Sequence, residues 1–343
     1  MEGIDNGSLS WIKSYLSDRH QAVWIDHVFS DFIPHSIGVP QGSNLGPLFF
    51  LVYYSDLLYS LDCDIDAYAD DSTMGATGHA VQEIGNNLTK NCEEVVNWME
   101  SNQLKLNADK THLLTVGTAQ RLNTLPEHVK VTMDGVDLEE SEDKNEMLLG
   151  CTIESNLKWN LQIRNLLGKL KTRLAGLSTI KYIVPFHTRS SITIGIFNSV
   201  LVYCLPVFGG CNVDEVKDLQ VLQNRAAQIV THSPPRSKRH LLFDKLKWLT
   251  VKQLIVYHTL LAVYKIRQSR EPEYLANFLL NDNRLGSIIV PNTTLGLAKK
   301  SFVWRGSENW NSLPLDLRKS SKVGTFKKCA KQWIIENIPR FYE

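Results

Sequence analysis

Apolar residues recur at every third or fourth position along much of the chain, and this spacing predicts helices. The pattern is strongest from Trp159 to Tyr182. One side of that helix carries Ile163, Leu166, Leu167, Leu170, Leu174, Leu177 and Ile180. The same spacing predicts further helices at residues 8–18, 79–103, 188–204, 214–231, 250–267 and 322–337. The second half of the chain is therefore expected to be almost entirely helical.

Short β-branched and aromatic runs in the first half predict strands, because these side chains suit a half-buried sheet surface. We expect hairpins at residues 20–36, with a turn over 26–31, and at 129–140, with a turn at Asp134-Gly135. Single strands are predicted at residues 112–116 and 147–153. Ser8 or Ser10 is the expected cap of the first helix. Together these elements predict an α+β fold.

Two adjacent carboxylates, Asp70 and Asp71, follow the alternating run Ile65–Ala69 and precede a second strand-like run, Thr73–Ala76. This pattern predicts a hairpin with an acidic tip. Adjacent negative charges repel unless a cation lies between them, and Mg²⁺ binds through one or two carboxylates together with substrate phosphates. A solvated turn without a ligand is the alternative, since Asp is common in turns.

A loop with three glycines and two prolines, Gly38–Pro47, leads into the apolar segment Leu48–Tyr54. We expect this segment to be a buried helix. A Gly- and Ser-containing loop at a helix start suits phosphate or nucleotide binding through backbone N–H groups, or is a plain helix entry.

Charge divides the chain. Residues 1–150 carry 8 Lys and Arg against 24 Asp and Glu, a net charge of −16, whereas residues 151–343 carry 29 against 12, a net charge of +17. The basic half suits a polyanionic partner, or the two halves neutralise each other. Lys110 precedes a predicted strand and could contact a phosphate or remain at the surface. The cations of the predicted helix at 159–182 could likewise contact phosphates or form a solvated face.

The six cysteines are scattered and form no Cys-x-x-Cys pair, which argues against a zinc or redox motif and indicates a reduced, intracellular compartment. Nucleus and cytoplasm both stay open. No basic-then-apolar secretory start follows Met1. The uncharged stretch Ser190–Val213 is long enough for a membrane span, but it contains Asn198, Pro206 and glycines, and we expect a buried core helix and no membrane partner.

Three motifs occur in a fixed order: Gly-Val-Pro-Gln-Gly-Ser at 38–43, Tyr-Ala-Asp-Asp at 68–71 and Leu-Asn-Ala-Asp-Lys-Thr at 106–111. In this order they resemble the reverse transcriptases of non-LTR, LINE-type retrotransposons, in particular the jockey and CR1-like groups. The segments Leu149–Ile153, Leu219–Ala226 and Trp310–Pro314 extend the resemblance over nearly the whole chain. Three ordered motifs are far more specific than any one of them alone.

The resemblance implies a right-hand polymerase. A partial palm, an antiparallel sheet with helices, would occupy residues 1–155. A thumb-like helical region would span 156–240, and a C-terminal helical region of the retroelement protein would span 241–343. Such a protein copies an RNA template from a DNA primer with deoxynucleotides and uses two Mg²⁺ ions.

The resemblance also assigns residue roles. Asp70 and Asp71 would hold the metal ions and, with Lys110, form the catalytic group. The residues expected to contact template and nucleotide are Gly38, Pro40, Gln41, Gly42, Ser43 and Tyr68. The thumb cations expected to contact nucleic acid are Arg164, Lys169, Lys171 and Arg173.

The family pattern includes an earlier palm strand with another metal-binding aspartate, upstream of the segment that begins here at Trp11. We therefore expect an N-terminally truncated reverse transcriptase without fingers or endonuclease and with at best weak activity. Asp5 lies in no strand-like run and is not expected to replace that aspartate. The alternative is a catalytically inactive relic or a repurposed nucleic-acid-binding module.

Overall fold

The computed structural model describes residues 4–107, 110–138, 140–283 and 287–340. The protein contains both helices and antiparallel strands and divides into two units. The first unit contains residues 1–113 and 126–140. Its elements are α1 (Asn6–Leu16), β1 (His20–Gln21), β2 (Trp24–Ile25), β3 (Val28–Phe29), β4 (Ile33–Pro34), α2 (Gly46–Ser60), β5 (Asp64–Tyr68), β6 (Asp71–Gly75), α3 (Val81–Ser101), β7 (Val131–Met133) and β8 (Val136–Leu138). The predicted class is thereby confirmed.

The second unit contains residues 114–125 and 141–343. It begins with α4 (Ala119–Asn123), β9 (Asn145–Leu148), β10 (Cys151–Glu154) and α5 (Asn160–Ile180). Helices follow: α6 (Phe186–Thr193), a π-helical turn (Ile194–Asn198), α7 (Ser199–Val202), α8 (Leu205–Phe208), α9 (Val213–Thr231), α10 (Arg239–Leu246), α11 (Val251–Ser269), α12 (Glu273–Leu279), α13 (Gly296–Lys299), α14 (Phe302–Asn311), α15 (Leu315–Arg318) and α16 (Val323–Asn337). The predicted helical character of this half is confirmed.

Each sheet formed by the described residues has only two antiparallel strands. The pairs are β1 with β4, β2 with β3, β5 with β6, β7 with β8, and β9 with β10. The hairpin predicted at 129–140 turns at Asp134-Gly135, where both residues have positive φ (51° and 72°), as a two-residue hairpin loop requires. The hairpin predicted at 20–36 is also present, but its turn is shorter than predicted and lies at Asp26-His27.

Two strand predictions were wrong in extent. Residues 147–153 form a hairpin rather than one strand, because Leu149 and Gly150 turn the chain with φ values of 47° and 77°. Residues 112–116 form no strand, and only Leu113 makes a bridge, to Glu140. A strand needs a partner along its whole length, which these residues lack among the described segments.

Two details of the predicted helices were also wrong. Asp5, not Ser8 or Ser10, caps α1, and its carboxylate accepts a hydrogen bond from the Ser8 backbone N–H at 3.0 Å. That hydrogen bond lowers the pKa of the Asp5 carboxyl. The expected buried helix after the glycine loop is α2, yet only Gly46, Tyr54 and Leu57 are buried along it. Apolar content alone does not reveal how many faces of a helix are covered.

The second unit is built around α5, whose apolar side packs against α9. The buried α5 residues are Gln162, Ile163, Leu166, Leu170, Leu174 and Leu177, while Leu167 and Ile180 of the predicted apolar side are partly buried and pack against the same cluster. A second apolar cluster joins α11, α14 and α16 around Trp310 and Phe326. These two clusters hold most of the fully buried side chains of this unit.

The uncharged stretch 190–213 belongs to this core. Thr193, Phe197, Leu201, Leu205 and Phe208 are fully buried there, as a core helix requires. Midway, the Ser199 N–H donates to the Ile194 carbonyl five residues earlier, which forms the π-helical turn. Among the described residues, no helix has the length and apolar character needed to cross a membrane.

Gly85 allows α3 to approach β7 closely, and Gly85→Ala should destabilise the first unit. A Cβ at Gly85 would lie 2.5 Å from the Lys130 carbonyl oxygen, so the helix or the strand must move. We expect a loss of about 1–3 kcal/mol in the free energy of unfolding, as for other overpacked sites, measured by urea denaturation.

The matched control is Gly168→Ala in α5, where an added Cβ meets nothing within 4 Å. This variant should gain about 0.5–1 kcal/mol, because alanine favours a helix over glycine. Equal effects of the two substitutions would contradict the close approach at Gly85.

Candidate active site

The β5–β6 hairpin presents the paired carboxylates. Its register runs from Asp64 opposite Gly75 to Tyr68 opposite Asp71, so Ala69 and Asp70 form the turn. Ala69 has a φ of 56°, which the tight turn requires. The predicted strand, acidic tip and strand are confirmed as local structure.

The inner face of this hairpin rests on helices. Side chains alternate along strands, so Ile65, Ala67 and Met74 face inward. They pack on a cluster that includes buried Tyr54, Leu57 and Val95 from α2 and α3. Both carboxylates therefore project from a turn whose base is fixed by apolar packing.

The outer face and the tip are open to solvent. Tyr68 and Asp71 form a cross-strand pair there, and the Tyr68 side chain is 68% exposed. Asp70 and Asp71 are exposed as well. Within the described part of the chain, neither carboxylate makes a hydrogen bond or an ion pair. Among the residues that the structure describes, no cationic side chain pairs with them to offset their mutual repulsion.

A hydrogen bond ties the hairpin to α2 directly beside the carboxylates. The Tyr54 hydroxyl and the Ser72 hydroxyl lie 2.5 Å apart, and Ser72 follows Asp71 in sequence. Tyr54 is 4% exposed, so its ring is locked in the cluster. Sequence reasoning missed this pair. The alternation of strand residues does place Ser72 on the inner face, but nothing in the sequence names Tyr54 as its partner.

The glycine-rich loop is held largely by its own groups. Gly38 and Gly42 have φ values of 72° and 79°, which explains glycine at both positions. The Ser43 hydroxyl donates to the Pro40 carbonyl (2.8 Å) and accepts from the Gly46 N–H (2.9 Å). Ser43 therefore shapes the loop and satisfies a backbone donor at the start of α2. Gln41 is exposed.

Arg19, which sequence reasoning also missed, fastens the start of this loop. Its guanidinium donates to the Gly38 carbonyl at 2.6 Å and to the Ile37 carbonyl at 3.3 Å. A lone arginine between two predicted elements carries no sequence signal for this contact.

Lys110 lies outside the contacts of the hairpin. It is exposed, and its backbone N–H donates to the Asn107 carbonyl at 3.1 Å. Ala108 and Asp109 of the same motif lie outside the described residues. The structure does not join the Lys110 amine to Asp70 or Asp71 through a hydrogen bond or ion pair among the residues it describes.

The four α5 cations are all exposed but do not share one face. Arg164 and Lys171 are seven residues apart and lie on the same side of the helix. Lys169 and Arg173 are four apart and lie on another side. These two pairs belong to the second unit, and each could follow a phosphate backbone independently.

The carboxylate pair fits a hard cation by donor type. Mg²⁺ prefers oxygen ligands and keeps water and phosphate ligands besides one or two carboxylates. No group of three His, Cys, Asp or Glu side chains in the described segments could hold a metal ion. Asp70 and Asp71 are therefore the two carboxylates that this tip offers to a cation.

Comparison with known proteins finds similarity to RNA-directed DNA polymerases. Residues 3–182 match the family described as reverse transcriptase (RNA-dependent DNA polymerase). The chain is 27% identical over 288 residues to the probable RNA-directed DNA polymerase from transposon BS of Drosophila melanogaster, covering 78% of this chain and 30% of that protein. It is 26% identical over 236 residues to the RNA-directed DNA polymerase from mobile element jockey of the same organism, covering 65% and 25%.

A third relative is the probable RNA-directed DNA polymerase from transposon X-element of Drosophila melanogaster. Identity is 22% over 282 residues, which cover 78% of this chain and 29% of that protein. The chain thus spans less than a third of the length of these relatives.

Proposed function

We propose that this chain, which belongs to the reverse transcriptase (RNA-dependent DNA polymerase) family, acts in RNA-templated DNA synthesis. It also resembles the polymerases of non-LTR mobile elements. The observation that carries this proposal is the hairpin tip, where two unpaired carboxylates project from a fixed base. Residues 1–155 would be a partial palm, 156–240 a thumb-like region and 241–343 a C-terminal helical region.

The proposed reaction joins a deoxynucleotide to a DNA primer on an RNA template. The primer 3′-hydroxyl loses its proton and attacks the α-phosphorus, a new P–O bond forms, and the α–β phosphoanhydride bond breaks to release pyrophosphate. Two Mg²⁺ ions, when bound, would activate the attacking hydroxyl and stabilise the leaving oxygen. Asp70 and Asp71 would provide their protein ligands.

The other predicted residues would position the substrates or transfer a proton. Lys110 would donate a proton to the leaving pyrophosphate or stabilise its negative charge. Gln41, with Gly38, Pro40, Gly42 and Ser43, would contact template and nucleotide, and Tyr68 would contact the nucleotide beside the carboxylates. Ser43 would act through loop shape, since its hydroxyl is already engaged. The α5 cations would contact the phosphates of the RNA–DNA duplex.

The alternative is a nucleic-acid-binding module without catalysis. It is favoured by one observation: in the described residues no third acidic or histidine side chain joins Asp70 and Asp71 to complete a protein metal cage. On this alternative the α5 cations would still hold a duplex, while the carboxylates would have no role.

A hybrid of an RNA template and a labelled DNA primer tests both proposals. The polymerase proposal expects binding of the hybrid and Mg²⁺-dependent addition of the complementary deoxynucleotide. Binding without addition, unaffected by Asp70→Asn, would support the binding module. A chain that neither binds the hybrid nor extends the primer would contradict both.

A further inference from the structure

A cluster of cations with an exposed aromatic ring forms where α5 and α9 end. We name it the terminal basic patch, and it contains Lys181, Tyr182, His232, Arg236, Lys238 and Arg239. His232 Nε2 contacts the Lys181 carbonyl, and the His232 and Tyr182 ring centroids lie 5.3 Å apart. The Lys181 Nζ lies 4.4 Å from the Tyr182 ring centroid.

The loop that follows α9 carries the remaining cations and folds back on the end of that helix. Gln228 Nε2 donates to the Pro235 carbonyl at 2.8 Å, and the Ser237 hydroxyl donates to the Pro234 carbonyl at 2.8 Å. These bonds fold the loop back on the end of α9. Arg236 and Lys238 are exposed on it, and Arg239 begins α10 half-buried.

Carboxylates are scarce in the sequence around this patch. The sequence has no Asp or Glu between Glu154 and Asp214, and none between Asp218 and Asp244. Asp244 itself is paired with Arg340 at 2.6 Å. In the part of the chain that the structure describes, none of the patch cations forms an ion pair.

Fold stability does not explain these charges. Lys238 and Arg239 lie at the start of α10, where the helix dipole favours negative rather than positive side chains. Tyr182 is 77% exposed and Ile183 is 78% exposed, so the ring is not needed for the core either. The patch brings together cations that form no ion pair among the described residues and an aromatic ring that stays largely exposed beside Lys181 and His232.

We propose that the terminal basic patch binds single-stranded nucleic acid. The cations contact successive phosphates, and the Tyr182 ring stacks on an unpaired base. Stacking requires a base that is not already covered in a duplex, which favours a single strand. An acidic peptide would satisfy the cations but would not use the ring.

The patch lies within the proposed thumb-like region, residues 156–240, but it uses none of the residues proposed to act in polymerisation. The family match ends at residue 182, so the loop of the patch lies outside it. Along the axis of α5, Lys181 lies about 12 Å beyond Arg173 and about 25 Å beyond Arg164, at 1.5 Å per residue. The binding proposed for the patch does not depend on Asp70, Asp71 or the four α5 cations.

Fluorescence anisotropy with a labelled oligo(dT) 12-mer and the full chain tests the proposal. The double variant Arg236→Glu/Lys238→Glu should weaken binding by about ten-fold or more, and the slope of log affinity against log salt should fall by about 1.4. Tyr182→Ala should weaken binding of this single strand by about five-fold or more. The same variant should leave binding of an RNA–DNA hybrid unchanged.

The control is Lys327→Glu/Lys328→Glu, two exposed cations of α16, which should have little effect. All these positions lie at the surface, and circular dichroism would verify that the variants fold. Equal losses in the control and patch variants would overturn the proposal, since binding would then be diffuse. The proposal would be overturned in favour of an acidic protein partner if Tyr182→Ala left oligonucleotide binding unchanged and polyglutamate displaced the labelled oligonucleotide as well as unlabelled oligo(dT) does. Unchanged primer extension in the patch variants separates this site from the polymerase proposal.

Discussion

Asp70→Asn is expected to lower the rate of deoxynucleotide addition by about 10²–10³-fold, the usual cost of removing one positioned electrostatic group from a reaction centre. The substitution keeps the size and one oxygen of the side chain but removes its charge. Since Asp70 is exposed at a turn, the fold should be unaffected. Single-nucleotide incorporation on an RNA template in Mg²⁺ is the primary measurement.

Metal affinity provides a second readout that does not depend on the rate of extension. Mn²⁺ binding in the presence of a deoxynucleotide, followed by electron paramagnetic resonance, should weaken in Asp70→Asn and in Asp71→Asn. Asp66 provides the matched control. It is an exposed carboxylate on the outer face of β5, opposite Thr73 and away from the tip. If Asp66→Asn weakened Mn²⁺ binding as much as Asp70→Asn does, the tip would not be the metal site.

Arg189→Met should cost about 3 kcal/mol or more in the free energy of unfolding of the second unit. Arg189 is 4% exposed, and its guanidinium donates to the carbonyls of Val230 (2.9 Å), Lys181 (2.7 Å) and Val184 (2.8 Å). Hydrogen bonds from a charged donor contribute roughly 1.5–3 kcal/mol each, and Arg189→Met removes this donor from the Val230 and Val184 carbonyls, while the Lys181 carbonyl keeps its contact with His232.

Urea denaturation measures this loss, with Arg173→Met as control. Arg173 is an exposed cation of α5, so its substitution should change the free energy of unfolding by less than about 0.5 kcal/mol. A similar small effect at Arg189 would show that water replaces its three contacts, and the arginine would not stabilise the junction of α5, α6 and α9.

Local patterns predicted most elements because they depend on nearby residues. Asp134-Gly135 marks a hairpin turn by its composition, and the apolar spacing of α5 needs only its own residues to be recognised. The Leu149-Gly150 turn was missed because a leucine with positive φ is rare, although Gly150 was a visible signal. The exposure of α2 was missed because it depends on which other segments cover the helix.

The candidate site shows the same division. The position of Asp70 and Asp71 at a hairpin tip follows from alternation and turn composition, and the structure confirms that local geometry. Their roles, like those of Lys110 and the loop residues, stay predictions from family resemblance. Arg19, Tyr54 and Ser72 were missed because their partners are distant in sequence, and a single sequence does not show which distant polar groups meet.

The π-helical turn at Ile194–Asn198, between α6 and α7, is a position where the chain could lose one residue without disturbing the helix. A π turn holds one residue more than an α turn, so the loss of one residue there restores ordinary helical geometry. Gly195 is exposed and an added Cβ would meet nothing within 4 Å, whereas Phe197 is fully buried. A single-residue deletion at Gly195 would leave Arg189 and Leu201 on their present sides of the helix. The same deletion inside α5 would rotate every later core residue of that helix by about 100° toward solvent.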